Sequence, residues 1–373
     1  MIQVIKNALL TNGQKVDILI ENSRIKDIVA NAGGFYPVLL DAEGMFASPG
    51  WIDLHTHAFP KYKPYCASPD KIGYQTGVTT VVDAGSSGAN TIEEFYQIAK
   101  TARTRVLAFL NISRIGLERI DELANLDEVS WDAINNAVNA YPSFIIGLKA
   151  RMSASVIGDS GLKPLQLAAR YSTTLNKPLM VHIGSAPPML HEILSLLNKG
   201  DILTHCYHGK SPNHIFQNNG EVEAALAEAV RRGVYLDVGH GKSSFSFPIA
   251  KKAKEAGVHF DTISTDIYEE NQINGPVYSM ADTLTKFLTL GYSLETIIRA
   301  VTETPAYVLN QPELGNFNRG SCAEFTFFTV ENETKILIDS LGNEIITNQV
   351  IKPQAVFLGG EYIELEKHYS YEV

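Results

Sequence analysis

The stretch Ser48-Pro49-Gly50-Trp51-Ile52-Asp53-Leu54-His55-Thr56-His57 is an apolar run that ends in two histidines separated by one residue. In an extended strand, side chains two positions apart project from the same face, so this spacing predicts that His55 and His57 point the same way. Two neutral imidazoles at the end of a strand are able to bind one divalent metal ion. Such pairs also occur in loops by chance, so a metal site is indicated only if other parts of the chain provide further ligands.

Eight apolar runs with strand character recur along the chain at intervals of about 23 to 38 residues. They cover residues 45–54, 78–82, 106–110, 144–148, 179–181, 202–204, 234–238 and 260–264. Segments with helical periodicity separate them, and this alternation predicts βα units with a parallel sheet. Eight evenly spaced runs favour an α/β fold of the (β/α)8 TIM-barrel type over a doubly wound open sheet. The longer connection at residues 112–136 is interpreted as an active-site loop followed by a helix.

Short strands and turns flank this pattern on both sides. Turn signals such as Asn12-Gly13 and Gly342-Asn343 separate the strand-like segments near the two ends of the chain. We infer that residues 1–48 and 312–373 pair into one small β-sandwich-like domain built from both termini. Residues 49–311 then form the barrel.

Composition narrows the class of protein. Hydrophobic residues make up 45% of the 373 residues, enough for a sizeable core, and the formal net charge is -10. An acidic chain is a poor binder of nucleic acid, because phosphates are neutralised by Lys and Arg. No apolar run approaches the roughly 20 residues of a membrane-spanning helix, and the first residues lack the pattern of a signal peptide. The three dispersed cysteines do not suggest a disulfide framework, so we expect a cytoplasmic protein.

Side chains that suit a metal site follow five of the eight runs. They are His55 and His57 after the first, Lys149 after the fourth, His182 after the fifth, His205 after the sixth and Asp266 after the eighth. Each has an ordinary alternative, such as a hydrogen-bonded histidine, a solvated lysine or a helix N-cap. Barrel enzymes build their sites at the carboxyl ends of the strands, and all six residues fall at that rim. Their coincidence predicts a metal site.

With these residues in place, the chain resembles the amidohydrolase superfamily. The similarity lies in His55-x-His57, Gly147-Leu148-Lys149-Ala150-Arg151, His182-Ile183-Gly184-Ser185-Ala186-Pro187-Pro188, Leu203-Thr204-His205-Cys206 and Ser264-Thr265-Asp266-Ile267-Tyr268. It is similar in particular to a branch with dihydroorotase-like and adenine-deaminase-like members, some of which are deacetylases of small acetylated hydroxy acids. The resemblance covers almost the whole chain. It is specific for the fold and the metal site and much less so for the substrate.

The resemblance implies two divalent metal ions, usually zinc, bridged by a carbamate that CO2 forms on Lys149. It implies that His55, His57 and Asp266 bind the first metal, and that His182 and His205 bind the second. A lysine in an apolar barrel wall has a lowered pKa, so its neutral amine is able to add CO2. Zinc lowers the pKa of a bound water to supply hydroxide. Asp266 is expected to act as the general acid and base.

Residues that contact the substrate are expected on the loops that follow the strands. Arg151 shares the side of the chain that carries Lys149; it either pairs with a substrate carboxylate or forms a salt bridge with an acid of the rim. Further candidates lie on the loops after the sixth and seventh strands. They are His208, Lys210, His240 and Lys242.

We therefore predict a binuclear-metal hydrolase that cleaves a C–N or C–O acyl bond in a small, polar, acidic molecule, with deacetylase or amidase activity favoured. The alternatives are opening of a cyclic amide, as by dihydroorotase, and deamination of adenine. A non-catalytic barrel scaffold is a further alternative, but all six metal-site positions carry suitable residues. We expect a homo-oligomer that binds a small-molecule substrate and neither nucleic acid nor membranes.

Overall fold

A computed structural model describes residues 1–366, so the last seven positions of the predicted 312–373 segment lie outside the described residues. The strands are β1 Ile2–Leu9, β2 Lys15–Glu21, β3 Arg24–Val29, β4 Val38–Asp41, β5 Phe46–Pro49, β6 Trp51–Thr56, β7 Val78–Ala84, β8 Arg105–Asn111, β9 Ile145–Met152, β10 Leu179–Ile183, β11 Ile202–Thr204, β12 Tyr235–Asp237, β13 Phe325–Ile338, β14 Glu344–Leu358 and β15 Glu361–Glu364. The α-helices are α1 Pro69–Ile72, α2 Ile92–Thr101, α3 Trp131–Ala140, α4 Ala154–Ile157, α5 Lys163–Leu175, α6 Leu190–Leu196, α7 Ala224–Arg232, α8 Phe247–Glu255, α9 Glu269–Asn274, α10 Met280–Thr289, α11 Leu294–Arg299 and α12 Glu303–Val308.

Seven parallel strands form a curled sheet in the order β6-β7-β8-β9-β10-β11-β12. The segment 262–267 lies between the two edges of this sheet and pairs with both. Thr262 forms a bridge with Asp237 of β12, and Ile267 forms a bridge with Thr56 of β6. The sheet is therefore closed, and the predicted (β/α)8 barrel is confirmed.

The eighth run is less regular than predicted. We expected a strand over residues 260–264, but the chain there forms isolated bridges only. The backbone N–H groups of Asp261 and Thr262 both donate to the carbonyl of Leu236, at 2.8 and 3.2 Å, and Asp266 has a φ of 52°. A left-handed residue interrupts extended backbone, so the segment bends at the position of a predicted metal ligand.

The first apolar run, residues 45–54, is divided at Gly50 into β5 and β6. β5 pairs with β1 and β13, whereas β6 enters the barrel. A Cβ atom at position 50 would lie 2.1 Å from Oγ1 of Thr79. Glycine is therefore required where the chain passes from one sheet to the other.

Strands from the two ends of the chain share a second sheet, in the order β15-β14-β13-β5-β1-β2-β3 with β4 beside β1. Its apolar core joins Ile5 and Ile18 to Phe325, Phe327 and Phe357. This matches the expected small β-domain built from both termini, and the boundaries 1–48, 49–311 and 312–373 stay a prediction. The hairpin β13–β14 also reaches the barrel.

The barrel interior has an apolar floor that includes Leu54, Phe109, Met180 and Leu309. A larger apolar cluster fills the space between the barrel and its helices. The longest helix, α5, has 13 residues, and none of the helices in the described range is both long and apolar enough to span a bilayer.

Candidate active site

The end of β6 carries the two histidines of the motif. The pairing of β6 with β7 shifts between Asp53/Val81 and Thr56/Asp83, which places one extra residue on β6. Such an irregularity re-aims side chains at the end of a strand. As a result His55 turns toward the site although its neighbour Leu54 packs in the barrel floor. The prediction that both imidazoles point to one place is confirmed.

His55, His57 and Asp266 form a compact group whose ligand atoms all lie within 4.8 Å of one another. Oδ1 of Asp266 is 3.4 Å from Nε2 of His55 and 3.1 Å from Nε2 of His57. Both histidines are buried, and the Asp266 side chain is 14% exposed. Three donor atoms of types that bind divalent metals therefore face one point.

The other three predicted ligands adjoin this group. Nζ of Lys149 is 3.2 Å from Nε2 of His55. Nε2 of His205 is 2.8 Å from Nδ1 of His182 and 4.0 Å from Oδ2 of Asp266. The structure thus brings all six residues together, and their assignment as metal ligands stays a prediction.

The backbone around the site is shaped for these side chains. His205 and Asp266 are non-glycine residues with φ values of 69° and 52°. Such conformations are unfavourable for most residues and concentrate at functional sites.

Three glycines with positive φ leave room for the predicted ligands. A Cβ at Gly85 would lie 2.8 Å from Cβ of Lys149, and one at Gly239 would lie 2.8 Å from Nδ1 of His205. A Cβ at Gly241 would lie 2.5 Å from Oδ2 of Asp266. Larger residues at these turns would displace the site.

Burial sets the charge of several groups in the site. It lowers the pKa of Lys149 to about 7 and that of His205 to about 4, and it lowers the pKa of His55 as well. Burial opposes ionisation of Asp266, but the hydrogen bond and charge of His57 outweigh it and lower the pKa of this carboxyl group. At neutral pH the imidazoles of His55 and His205 are therefore neutral, and Asp266 is a carboxylate.

The hydrogen bonds of the imidazoles fit a metal centre. Nδ1 of His205 donates to the carbonyl of Gly239 at 2.6 Å, which leaves a lone pair on Nε2. Nδ1 of His55 is 2.8 Å from Oγ1 of Thr204, and Nδ1 of His57 is 2.8 Å from Oγ of Ser86. The opposite nitrogens face Asp266 and Lys149. Metal-binding histidines are held in this way, with the remote ring nitrogen hydrogen-bonded to the protein.

A cavity of about 280 Å³ opens onto the six residues. Five of them line it, and the other lining residues include Tyr65, Asn111, Glu122, Arg151, Lys242 and Tyr268. Arg151 donates from Nε and Nη2 to the buried carboxylate of Glu122, at 2.9 and 2.7 Å. Its guanidinium also lies 5.7 Å from the centre of the Tyr65 ring. Of the two alternatives for Arg151, the salt bridge to a rim acid is therefore present.

Of the other predicted substrate contacts, Lys242 lines the cavity and the remaining three lie elsewhere. Among the described residues, His208, Lys210 and His240 do not line the cavity. His208 is buried and its Nδ1 accepts a hydrogen bond from the backbone of Lys210. Nε2 of His240 is 3.0 Å from Nζ of Lys286, and its Nδ1 is 3.0 Å from the carbonyl of Gly241. Their role in substrate binding stays a prediction.

Sequence reasoning missed Glu122, Tyr65 and Tyr268 as lining residues. Glu122 lies in the long segment 112–136 that was expected to form an active-site loop, but no spacing connects it with Arg151. Tyr268 is the last residue of the quoted motif Ser264–Tyr268 but was given no role there, and Tyr65 carries no signal in the sequence. The rings of these two tyrosines are in edge contact, with centroids 5.2 Å apart.

Several known proteins resemble this chain over almost its whole length. A family model described as a deacetylase-like composite domain matches residues 317–363. The chain is 42% identical over 360 residues to a deacetylase of Enterococcus faecalis, covering 96% of this chain and 98% of that protein. A solved structure of an adenine deaminase superposes with a TM-score of 0.95 at 41% identity, over 97% and 99% of the two chains. A solved dihydroorotase superposes with a TM-score of 0.89 at 31% identity, over 98% of each chain.

Proposed function

This chain belongs to the deacetylases of the amidohydrolase superfamily, and we propose that it hydrolyses the acetyl amide or ester bond of a small acidic molecule. The observation that carries the proposal is the convergence of four imidazoles, one lysine amine and one carboxylate at the carboxyl end of the barrel. These donor types suit two divalent metal ions.

We assign His55, His57 and Asp266 to one metal ion and His182 and His205 to the other, with Lys149 between them as a carbamate. The type of donor supports zinc, because imidazole nitrogen and carboxylate oxygen are both common zinc ligands. When bound, such ions supply Lewis-acid activation of water and of the acyl carbonyl. A pKa of Lys149 lowered to about 7 supports the carbamate, since only the neutral amine adds CO2.

Asp266 is proposed to move the proton during hydrolysis. Its carboxylate is ionised at neutral pH and is held by His57 at the edge of the cavity. It accepts the proton that the attacking water loses as the C–O bond forms at the acetyl carbon. It then gives this proton to the leaving nitrogen or oxygen as the acyl bond breaks, and the products are acetate and an amine or an alcohol.

Arg151 is proposed to orient the acidic part of the substrate. Glu122 accepts hydrogen bonds from Nε and Nη2 of the guanidinium, and the proposed partner of the substrate carboxylate is Nη1. Lys242 adds a second positive charge to the cavity wall and is paired with Glu270 at 2.6 Å. Burial of the Arg151–Glu122 pair fixes the guanidinium in one position, which favours binding of a substrate carboxylate in one orientation.

The test is a product assay on the full-length enzyme loaded with zinc. N-acetylated and O-acetylated acids should release acetate, while cyclic amides and adenine should be poor substrates. Elemental analysis should find up to two metal ions per chain. Release of ammonia from adenine, opening of a cyclic amide, or activity that is unrelated to metal content would each contradict the proposal.

The acidic specificity has its own test in Arg151→Lys. A lysine cannot reproduce the planar fork, so the KM for acetylated acids should rise at least about tenfold, with a smaller change in kcat. The exposed Arg170, changed to lysine, is the control and should leave KM unaltered. An Arg151→Lys enzyme with the KM of the native protein would contradict this role.

Two finer features belong to the same proposal. We propose that the enzyme acts in the cytoplasm, as expected from its few dispersed cysteines. We also propose that it forms a homo-oligomer, because barrels of this type usually do. Size-exclusion chromatography with light scattering would measure the number of subunits.

A further inference from the structure

Thr204 lies between a predicted metal ligand and a buried acid. Its Oγ1 is 2.8 Å from Nδ1 of His55 and 2.7 Å from Oδ2 of Asp237. All three residues are almost completely buried. The sequence motif Leu203-Thr204-His205 gave no role to this threonine.

Asp237 is surrounded by hydroxyl donors. Thr262 donates to its Oδ1 at 2.7 Å, and Ser264 donates to its Oδ2 at 2.6 Å, in addition to Thr204. Burial raises the pKa of Asp237, and these three hydroxyl groups oppose that effect because they solvate the carboxylate. The acid is therefore built to accept hydrogen bonds from all three side chains.

The Thr204 hydroxyl has only one proton to donate, and this determines the direction of its hydrogen bond with His55. A carboxylate only accepts, so the proton of Thr204 is directed to Asp237. Oγ1 of Thr204 must then accept from His55, and the imidazole must carry its own proton on Nδ1. The lone pair is thereby left on Nε2, which is the atom that lies 3.4 Å from Asp266 and 3.2 Å from Lys149.

His57 has the same arrangement. Its Nδ1 is 2.8 Å from Oγ of Ser86, and Ser86 is tied to the buried carboxylate of Asp83 through its backbone N–H at 2.7 Å. Burial raises the pKa of Asp83, and its interactions with Ser86 oppose that effect. Two histidines from one strand end are thus each backed by a hydroxyl group and a buried acid.

We propose that Thr204 with Asp237, and Ser86 with Asp83, are positioning residues that hold His55 and His57 in the Nδ1-protonated tautomer. This inference rests on the proposed metal site. Each hydroxyl group fixes both the tautomer and the direction of its imidazole, so that both Nε2 lone pairs face the same metal ion. Such partners of ligand histidines typically change metal affinity by about 10- to 100-fold.

The test compares four full-length proteins after metal removal: the native chain, Thr204→Val, Thr204→Ser and Thr262→Val. Zinc affinity is measured by competition with a chromophoric chelator. Thr204→Val should weaken zinc binding by about 10- to 100-fold, while Thr204→Ser should bind like the native protein because it keeps the hydroxyl. Thr262→Val removes an equally buried hydroxyl from the same carboxylate without touching a histidine, and it should also bind like the native protein.

A second readout follows the tautomer itself. Nitrogen chemical shifts of 15N-histidine-labelled metal-free protein should report Nδ1–H for His55 in the native chain and in Thr204→Ser, and a larger Nε2–H population in Thr204→Val. If Thr204→Val does not fold, Thr204→Ala removes the same hydroxyl without added bulk. For His57, Ser86→Ala should weaken zinc binding in the same way. Its neighbour Ser87→Ala is the control, because the Ser87 hydroxyl contacts Thr91.

Three results would overturn the inference. They are native zinc affinity in Thr204→Val, equal loss of affinity in Thr262→Val, and an unchanged His55 tautomer in Thr204→Val. Failure of the proposed function is a separate result, because the native protein itself would then bind no stoichiometric zinc while the tautomer shift would still be measurable.

Discussion

Asp266 lies close to three of the predicted histidine ligands. Its two oxygens lie within 4.0 Å of His55, His57 and His205, and its left-handed backbone turns it into the barrel mouth. In the proposed mechanism this residue combines two tasks, binding a metal ion and carrying a proton. Both depend on one ionised carboxylate at a fixed position.

The variant Asp266→Asn should lose at least about a thousandfold in kcat, because an amide neither carries the proton nor supplies an anionic ligand. The fold should persist, since asparagine has nearly the same size and tolerates a positive φ. Acetate release and thermal unfolding measure the two effects. The control is Glu269→Gln, an exposed carboxylate of α9 that pairs with Lys71. Near-native kcat in Asp266→Asn would exclude the proton role.

Lys149 gives the site a dependence on pH. Its pKa, lowered by burial from 10.5 to about 7, means that protonated amine predominates below pH 7 and neutral amine above it. At constant dissolved CO2, the rate at which zinc restores activity to metal-free enzyme should fall about tenfold for each pH unit below 7.

Protonation of His205 does not explain such a fall, because its pKa is lowered to about 4 and the ring stays neutral in this range. The measurement is the initial rate of reactivation in sealed, CO2-buffered samples. A rate that is constant between about pH 6 and pH 9 would contradict the requirement for a neutral lysine.

At the scale of the element, the turns after the barrel strands decide where the ligand side chains lie. The turn after β7 contains Gly85 with a φ of 82°, and a Cβ there would lie 2.8 Å from both Cβ and Cγ of Lys149. β7 and β9 are not neighbours, so this glycine lets the turn pass over the side chain of another strand. Position 85 therefore favours glycine for two reasons, its positive φ and the lack of space for a Cβ atom.

Gly85→Ala should therefore destabilise the protein and weaken zinc binding together. Gly342 is a matched control: its φ is 81° and no atom lies within 4 Å of the added Cβ. Gly342→Ala should cost about 1 to 2 kcal/mol of unfolding free energy from backbone strain alone, with native zinc affinity. Urea unfolding and chelator competition measure the two quantities. Equal behaviour of the two variants would show that the contact with Lys149 is unimportant.

At the scale of the whole molecule, the predicted ligands connect distant parts of the barrel. They lie on or directly after β6, β9, β10 and β11 and in the closing segment 262–267. The two proposed metal ions would stabilise only the folded chain, because the unfolded chain separates their ligands. In this proposal metal binding and barrel folding are thermodynamically linked.

Removal of the metal should lower the stability of the entire barrel. A protein held at a free zinc concentration of 100 times Kd should gain about 2.7 kcal/mol over the metal-free form, and the melting temperature should fall when a chelator is added and recover with zinc. Differential scanning calorimetry measures the shift. In a His55→Ala/His57→Ala double variant the shift should be much smaller. A melting temperature that is insensitive to the chelator in the native protein would contradict the linkage.

The sequence by itself determined the class of fold and the chemical types in the site. Apolar runs and helical periodicity are local patterns, and a residue that ends a strand of a parallel barrel has only one rim on which to lie. For this reason the sequence predicted that His55, His57, Lys149, His182, His205 and Asp266 lie together. The strand ends of most runs also agree with the structure to within a few residues.

Only the tertiary structure decided which groups control those residues. Glu122 and Arg151 are 29 residues apart in the chain, and Thr204 and Asp237 are 33 apart, yet each pair is in hydrogen-bond contact. The contact between His240 and Lys286 and the closure of the barrel by residues 262–267 also join parts of the chain that are distant in sequence. Periodicity is set by a residue's neighbours along the chain, whereas hydrogen-bond partners, burial and the resulting pKa shifts are set by neighbours in space. Those neighbours exist only once the barrel has closed.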